Sequence, residues 1–359
     1  MLWVREMVVT KCEIMQEDMV RIVQDETIAW EQFRGCSILV TGATGLIGRQ
    51  VVMSLLLADA QKDLDLCVIA AVRNVQKAER VFSEIIGNAH LILHEQDIKE
   101  IFSYTGPVDY IIHAASATAS KEFVERPVET IETAYCGCRN ILQLAKDKHI
   151  RGGVFLSSME VYGVSAKEYL TEDDYGYLDH INVRSSYSEG KKMCECLCAS
   201  YYKEYHVPFK IARLTQTFGP GVEKDDNRVF AQFAKAVLQK ENIVLFTEGK
   251  TVRNYCYTAD AVRAILLILL KGEAGQVYNA ANMETEISIY DMASMLMKEY
   301  HKGKYHVEIR LEQEQKHGFN PVSRTCIDSS KLAALGWKPE IGLKEAFERM
   351  MQGMEKACS

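Results

Sequence analysis

Ser37-Ile38-Leu39-Val40-Thr41-Gly42-Ala43-Thr44-Gly45-Leu46-Ile47-Gly48 is a short branched, apolar run that breaks into spaced glycines and resumes as a helix-forming stretch. A strand buried on both faces, a tight turn and a helix are what that succession encodes, because glycine alone lets the backbone turn so sharply. The helix start carries unpaired amides, so a pyrophosphate can approach a backbone that lacks Cβ at Gly42, Gly45 and Gly48. Thr44, Leu46 and Ile47 share the turn and are predicted to line a dinucleotide with the glycines.

Outward from this unit the chain keeps the same rhythm. Short β-rich runs at 66–72, 91–94, 110–113, 154–157 and 209–214 alternate with longer helical stretches at 46–60, 128–146 and 187–205. They predict an α/β fold, a doubly wound parallel (Rossmann) sheet with right-handed crossovers. After about residue 215 the pattern changes, with helices predicted at 227–240 and 259–271 and strand-like pieces at 243–246 and 276–278. The expected organisation is an N-terminal helical extension (1–35), a dinucleotide-binding domain (36–215) and a smaller substrate lobe (216–359), with elements free to cross between lobes. That lobe would close over the carboxyl edge of the sheet, where open α/β sheets bind ligands. In the extension, Met19, Ile22 and Val23 make one apolar stripe, expected to pack on the sheet domain or a partner subunit.

The bulk properties narrow the function by exclusion. A net charge of −7 over 359 residues disfavours a nucleic-acid surface, and 48% hydrophobic with 25% charged residues is ordinary for a soluble globular protein. No run approaches the roughly 18 apolar residues of a membrane span. Arg5, Glu13, Glu17 and Asp18 come early with no long apolar core between them, unlike a signal peptide, so a cytoplasmic location is expected. Eleven cysteines without paired Cys-x-x-Cys sets predict reduced thiols, with neither a disulfide framework nor a metal site.

Chemistry enters with Ser186-Tyr187-Ser188-Glu189-Gly190-Lys191. A tyrosine four residues before a lysine shares its helix face, and the ammonium is expected to lower the phenol from its ordinary value of about 10. Beside a nicotinamide, such a pair takes a proton from an alcohol while a hydride leaves. Ser158, closing a strand, is placed to hydrogen-bond the same oxygen, and Glu160, two residues on, shares its side if the chain stays extended. The second strand ends Val72-Arg73-Asn74, where a site selective for NAD usually has an acid for the ribose; Arg73 favours the 2′-phosphate of NADP, or is a surface arginine beside NAD. Asp97, followed by Ile98, reaches the adenine or is a solvated loop residue.

Thr-Gly-x-x-Gly-x-x-Gly, His113-Ala114-Ala115, Ser157-Ser158-x-x-Val161-Tyr162-Gly163, Tyr187-x-x-x-Lys191 and Phe218-Gly219-Pro220, in this order, resemble the extended short-chain dehydrogenase/reductases that modify nucleotide sugars. The resemblance implies Ser158, Tyr187 and Lys191 as a catalytic trio and a tightly held nicotinamide, with Ala114 and Ala115 at the cofactor. It also implies a nucleotide-sugar substrate near Ser116 and Gln216, and a homodimer through the helices at 128–146 and 187–205. Tyr187-Ser188-Glu189-Gly190-Lys191-Lys192, Asn227-Arg228-Val229-Phe230 and Gly249-Lys250-Thr251-Val252-Arg253 are most similar to the UDP-glucuronate decarboxylases (UDP-xylose synthases), which are lyases. In that branch the residues matching Glu160 and Arg253 meet the sugar carboxylate; a lobe-to-lobe ion pair is the other reading of Arg253. Arg228 is expected at the substrate. Arg324, after Asn320-Pro321-Val322-Ser323, matches a late arginine loop that either contacts the diphosphate or is structural. Met159 stands where sugar 4,6-dehydratases carry a proton-donating aspartic acid, and a thioether donates no proton. Decarboxylation is the leading expectation; a 4-epimerase, a 4,6-dehydratase and a non-catalytic nucleotide sensor are its rivals.

Overall fold

The structure is a computed structural model that describes residues 8–116, 120–311 and 323–356. Five strands come first in the chain: β1 (Ser37–Thr41), β2 (Cys67–Val72), β3 (Leu91–Glu95), β4 (Tyr110–His113) and β5 (Gly152–Ser158). β6 (Tyr169–Leu170), β7 (Phe209–Leu214), β8 (Gln216–Phe218), β9 (Ile243–Leu245) and β10 (Val252–Tyr257) follow, then β11 (Val277–Ala280), β12 (Asn282–Ser288), β13 (Val307–Ile309) and β14 (Arg324–Ile327).

Seven of them form one parallel sheet in the order β11-β7-β5-β4-β1-β2-β3. Strand order reverses between β1 and β4, and this switch point opens the crevice that receives a ligand. Central strands buried along their whole length, such as β1 and β4, explain why those runs read as continuously apolar rather than alternating. A second sheet, β12-β10-β14-β6 with β8 beside β10, forms the smaller lobe, and β9 pairs with β13.

The two lobes interlace. β11, far beyond residue 216, completes the edge of the large sheet beside β7, whereas β6, from the middle of the first domain, pairs with β14 in the small one. A cut at 215/216 therefore severs neither lobe cleanly, because strand pairing is decided by long-range contacts that chain order does not display.

The helix Leu46–Lys62 is apolar almost all round because it is covered on two sides. The sheet lies beneath it, the helix Thr258–Lys271 lies beside it on the same face, and the N-terminal helix Glu13–Gln24 packs against both. Met19, Ile22 and Val23 are fully buried there. Asp18, beside them, is buried too: Tyr257 donates its hydroxyl to Asp18 at 2.6 Å and Arg349 its guanidinium at 2.8 Å. Among the described residues nine cysteines are free thiols. Cys12 is disulfide-bonded, a link the expectation of wholly reduced cysteines did not include.

Candidate active site

A cleft of about 920 Å³ opens where the strands of the large sheet end, lined from one side by the glycine turn and from the other by β8, β10 and β14 residues. Gly42 has φ of +65°, and a Cβ there would stand 2.7 Å from the Ala115 amide nitrogen, so both backbone angle and space demand glycine. Thr41 accepts a hydrogen bond from that same amide at 3.2 Å and lies 2.7 Å from His113 Nδ1. Burial, with Lys191 acting in the same direction, holds His113 at a pKa of about 3, so its imidazole is a neutral strut between β1 and β4. The helix after the turn begins at Leu46 with no side-chain cap, which leaves its first amides for a ligand anion. These features fit a dinucleotide pyrophosphate.

Thr44, Gly45, Leu46, Ile47 and Gly48 line this end of the cleft, with Arg73, Asp97 and Ile98 further along and Ala114, Ala115 and Ser116 beside the turn. Arg73 is exposed at the end of β2. Asp97 spends one carboxylate oxygen on the Lys99 amide, 2.9 Å away.

Ser158, Glu160, Tyr187, Lys191, Gln216, Arg228 and Arg253 line the other end. Ser158 ends β5, and its Oγ accepts from the Glu160 amide at 3.2 Å. The chain does not stay extended as expected: residues Met159–Tyr162 wind into one 3-10 turn, which Ser158 caps. Glu160 still reaches the cleft, but by a helical turn rather than strand alternation.

Tyr187 and Lys191 lie one turn apart on the helix Ser186–Tyr205. Lys191 spends its ammonium on the Leu156 carbonyl at 2.7 Å and sits 5.7 Å from the centre of the Tyr187 ring. The expected lowering of the phenol by Lys191 is therefore not what the site produces. Burial, and then the Glu160 charge, push the Tyr187 hydroxyl well above its ordinary value, against the pull of a Ser158 hydrogen bond and of Arg184 and Arg228. Burial also pushes Lys191 down.

Three side chains that sequence reasoning passed over complete this end. Arg184 grips Glu160 with two bonds, 3.0 and 3.1 Å, and Ser188 adds a third at 3.3 Å. Phe123 stacks flat on the Tyr187 ring, centroids 4.3 Å apart and planes 8° apart, with the Arg184 guanidinium 5.0 Å from the other ring's centre. Glu160 and Arg184 are 24 residues apart, so no spacing rule announces the pair.

The arginines expected at the substrate fare differently. Arg228 is held by Asp226, Nη2 to Oδ2 at 2.5 Å. Arg253 donates to the Val252 carbonyl, the Ser323 carbonyl and the Ser323 hydroxyl at 3.0 to 3.3 Å, and pairs with no carboxylate among the described residues. Burial pushes its pKa down. Gln216 has no hydrogen-bond partner for its buried Oε1 among the described residues. Arg324 alone of the predicted site residues is outside the cleft: it pairs with Glu286, while its neighbours Ser323 and Thr325 face in, as alternation along a strand requires. Asn320, Pro321 and Val322 of the same expected loop lie outside the described residues.

Comparison with known proteins gives a consistent set. The sequence model described as "NAD dependent epimerase/dehydratase family" matches residues 38–281. UDP-glucuronic acid decarboxylase 6 of Arabidopsis thaliana is 30% identical over 313 residues, covering 87% of this chain and 87% of that protein. UDP-glucuronic acid decarboxylase 1 of Danio rerio is 28% identical over 316 residues, covering 88% and 72%. Among solved structures, the UDP-glucuronic acid 4-epimerase of Bacillus cereus in complex with NAD superposes with a TM-score of 0.72 at 23% identity, covering 90% of this chain and 100% of that one. A dTDP-glucose 4,6-dehydratase from Streptomyces venezuelae gives 0.74 at 21% identity, covering 89% and 97%. The last two speak for the fold alone.

Proposed function

Since the chain belongs to the NAD-dependent epimerase/dehydratase family, we propose that it acts as a UDP-glucuronate decarboxylase, through transient oxidation at carbon 4 of the sugar. The observation that carries this reading is Arg253: a largely buried guanidinium in the sugar end of the cleft, bonded only to neutral oxygens and paired with no carboxylate among the described residues. A buried cation without a counter-ion is costly, and a substrate carboxylate removes that cost with a two-bonded fork. Curated relatives that carry the decarboxylase name over most of their length support the choice.

When bound, the oxidised nicotinamide supplies a hydride acceptor and one positive charge. Burial and Glu160 hold the pKa of the Tyr187 hydroxyl up, and the cofactor's positive charge would oppose them; as the phenolate, hydrogen-bonded to Ser158, Tyr187 takes the proton of the carbon-4 hydroxyl. Lys191, anchored to Leu156, holds the ammonium on the same helix face. The resulting ketone is β to the carboxylate, so the electrons of the breaking carbon–carbon bond flow toward the ketone oxygen as carbon dioxide leaves. Tyr187 keeps that proton hydrogen-bonded to the oxygen, Arg253 orients the departing carboxylate, and the Glu160 side relays the solvent proton that carbon 5 takes up. Return of the hydride removed at the start to carbon 4, with the Tyr187 proton going to its oxygen, would give the pentose. Met159 offers no proton to a leaving hydroxyl, which disfavours dehydration.

Two finer features belong to the same reading. No carboxylate follows the end of β2, and Arg73, Asn74 and Lys77 line the cleft there, which supports NADP over NAD. Titration of both cofactors checks this, and tighter NAD binding contradicts it. The helices Pro127–Lys148 and Ser186–Tyr205 expose Val128, Ile131, Tyr135 and Met193, and we assign this apolar face to a homodimer, which sedimentation equilibrium tests. No helix among the described residues is long and apolar enough to cross a membrane. For the reaction itself, the test is incubation with a panel of nucleotide sugars: release of carbon dioxide from UDP-glucuronate is expected.

A further inference from the structure

Glu160 stands between two guanidiniums. Arg184 holds it by two bonds of 3.0 and 3.1 Å, and Ser188 by one of 3.3 Å. Arg253, on the other side, is close enough for the Glu160 charge to act on it, yet no ion pair joins them. Both arginines carry long, rotatable side chains, and Arg253 lacks any carboxylate partner among the described residues. If Glu160 were released, Arg253, on which its charge already acts, would be open to it, and an internal ion pair would fill the place intended for a ligand carboxylate. Two cations and one carboxylate leave a net charge of +1, which matches one acidic sugar and no more.

We propose that Arg184 is a specificity-determining, positioning residue: by locking Glu160 in a two-bonded pair, it reserves Arg253 for the carboxylate of the incoming sugar. The inference rests on the acidic-sugar reading of the cleft. Arg184 comes from the 3-10 turn Val183–Ser185, directly before the helix that carries Tyr187, and its side chain is only 18% exposed. It packs over Phe123, which stacks on Tyr187, so the residue is held from two directions and presents a fixed fork to Glu160. A lysine cannot reproduce that fork, because its ammonium is a point charge.

The test is equilibrium binding of UDP-glucuronate and UDP-glucose, by calorimetry, to the cofactor-loaded protein in a Tyr187→Phe background that does not turn over, with Arg184 and Glu160 intact (here called wild type), Arg184→Gln, Arg184→Lys and the double variant Arg184→Gln with Glu160→Gln. Expected is a wild type that prefers UDP-glucuronate, and an Arg184→Gln protein that loses about tenfold or more for UDP-glucuronate while UDP-glucose changes little. Arg184→Lys falls between. The double variant regains the affinity for UDP-glucuronate, because no internal carboxylate then competes for Arg253. Equal weakening of both ligands in Arg184→Gln, or a double variant as weak as the single one, overturns the proposal. A wild type that binds UDP-glucuronate no tighter than UDP-glucose overturns the acidic-sugar reading, and this inference with it. Melting temperature and cofactor content establish that each variant is folded.

Discussion

Two clusters in this protein each set a carboxylate between an arginine and a hydroxyl, and they are built to opposite ends. Behind the sheet, Asp18 takes the Tyr257 hydroxyl and the Arg349 guanidinium, and Arg349 Nε in turn donates to the Tyr257 oxygen at 3.0 Å. The triangle closes on itself, and Asp18 is fully buried. In the cleft, Glu160 takes Arg184 and Ser188, but the next cation, Arg253, has neutral acceptors only among the described residues. A closed cluster fastens the N-terminal helix to the C-terminal one; an open cluster has an electrostatic vacancy of defined sign. The second kind is where a ligand is to be sought.

Changes in the open cluster and its catalytic neighbours are expected to alter turnover and binding, and changes in the closed one stability alone. The largest effect is expected at Tyr187→Phe, which removes the proposed proton acceptor and should lower kcat by about 10² to 10⁴ while the cofactor stays bound. Stopped-flow turnover with a cofactor assay checks this, and an indifferent variant would support the nucleotide-sensor alternative. Next, Arg253→Gln should weaken UDP-glucuronate by roughly 30-fold or more and leave UDP-glucose nearly untouched, as read by calorimetry.

The closed cluster should respond in stability. Arg349→Met strips Asp18 of its buried counter-charge and is expected to cost about 3 to 5 kcal/mol, seen as a lower Tm, with kcat unchanged where the protein remains folded. Its pH signature is specific. Burial raises Asp18 from 3.8 to about 6, against the pull of Arg349 and Tyr257. Between those values the folded chain keeps a proton that the unfolded chain has lost, so unfolding gains from rising pH. The associated stability is complete below about 4 and is lost as pH passes 6; Asp18→Asn should flatten that slope in a pH series of Tm. The smallest effect belongs to Arg324→Ala. Its ion pair with Glu286 is exposed and outside the cleft, so KM should stay within about twofold.

The sequence displayed the first cluster's apolar surroundings but not the cluster. Met19, Ile22 and Val23 sit at helical spacing and were readable as a stripe; Asp18 entered only as one of the early charges unlike a signal peptide, because its partners lie more than 200 residues away at Tyr257 and Arg349. The cleft divides in the same way. The glycine turn and the Tyr187–Lys191 pair are local, one a strand-to-helix join and the other a single helical turn, and local geometry is what spacing encodes. Glu160 with Arg184, and Arg253 with Ser323, are products of topology and could not be paired by spacing. Arg324 shows how fine the limit is: the late segment does reach the cleft, but the strand register turns Ser323 and Thr325 inward and Arg324 outward. Likewise, the tyrosine–lysine pairing was legible while its electrostatic consequence was not, because burial and Glu160 outweigh the neighbouring cations at Tyr187.

The most direct test of the open cluster's purpose is the mass of the product formed from UDP-glucuronate by the purified, cofactor-supplied protein. A nucleotide pentose, lighter than the substrate by one carbon dioxide and absent with Tyr187→Phe, is the predicted result. A product of unchanged mass, a product lighter by one water, or an untouched substrate would contradict it.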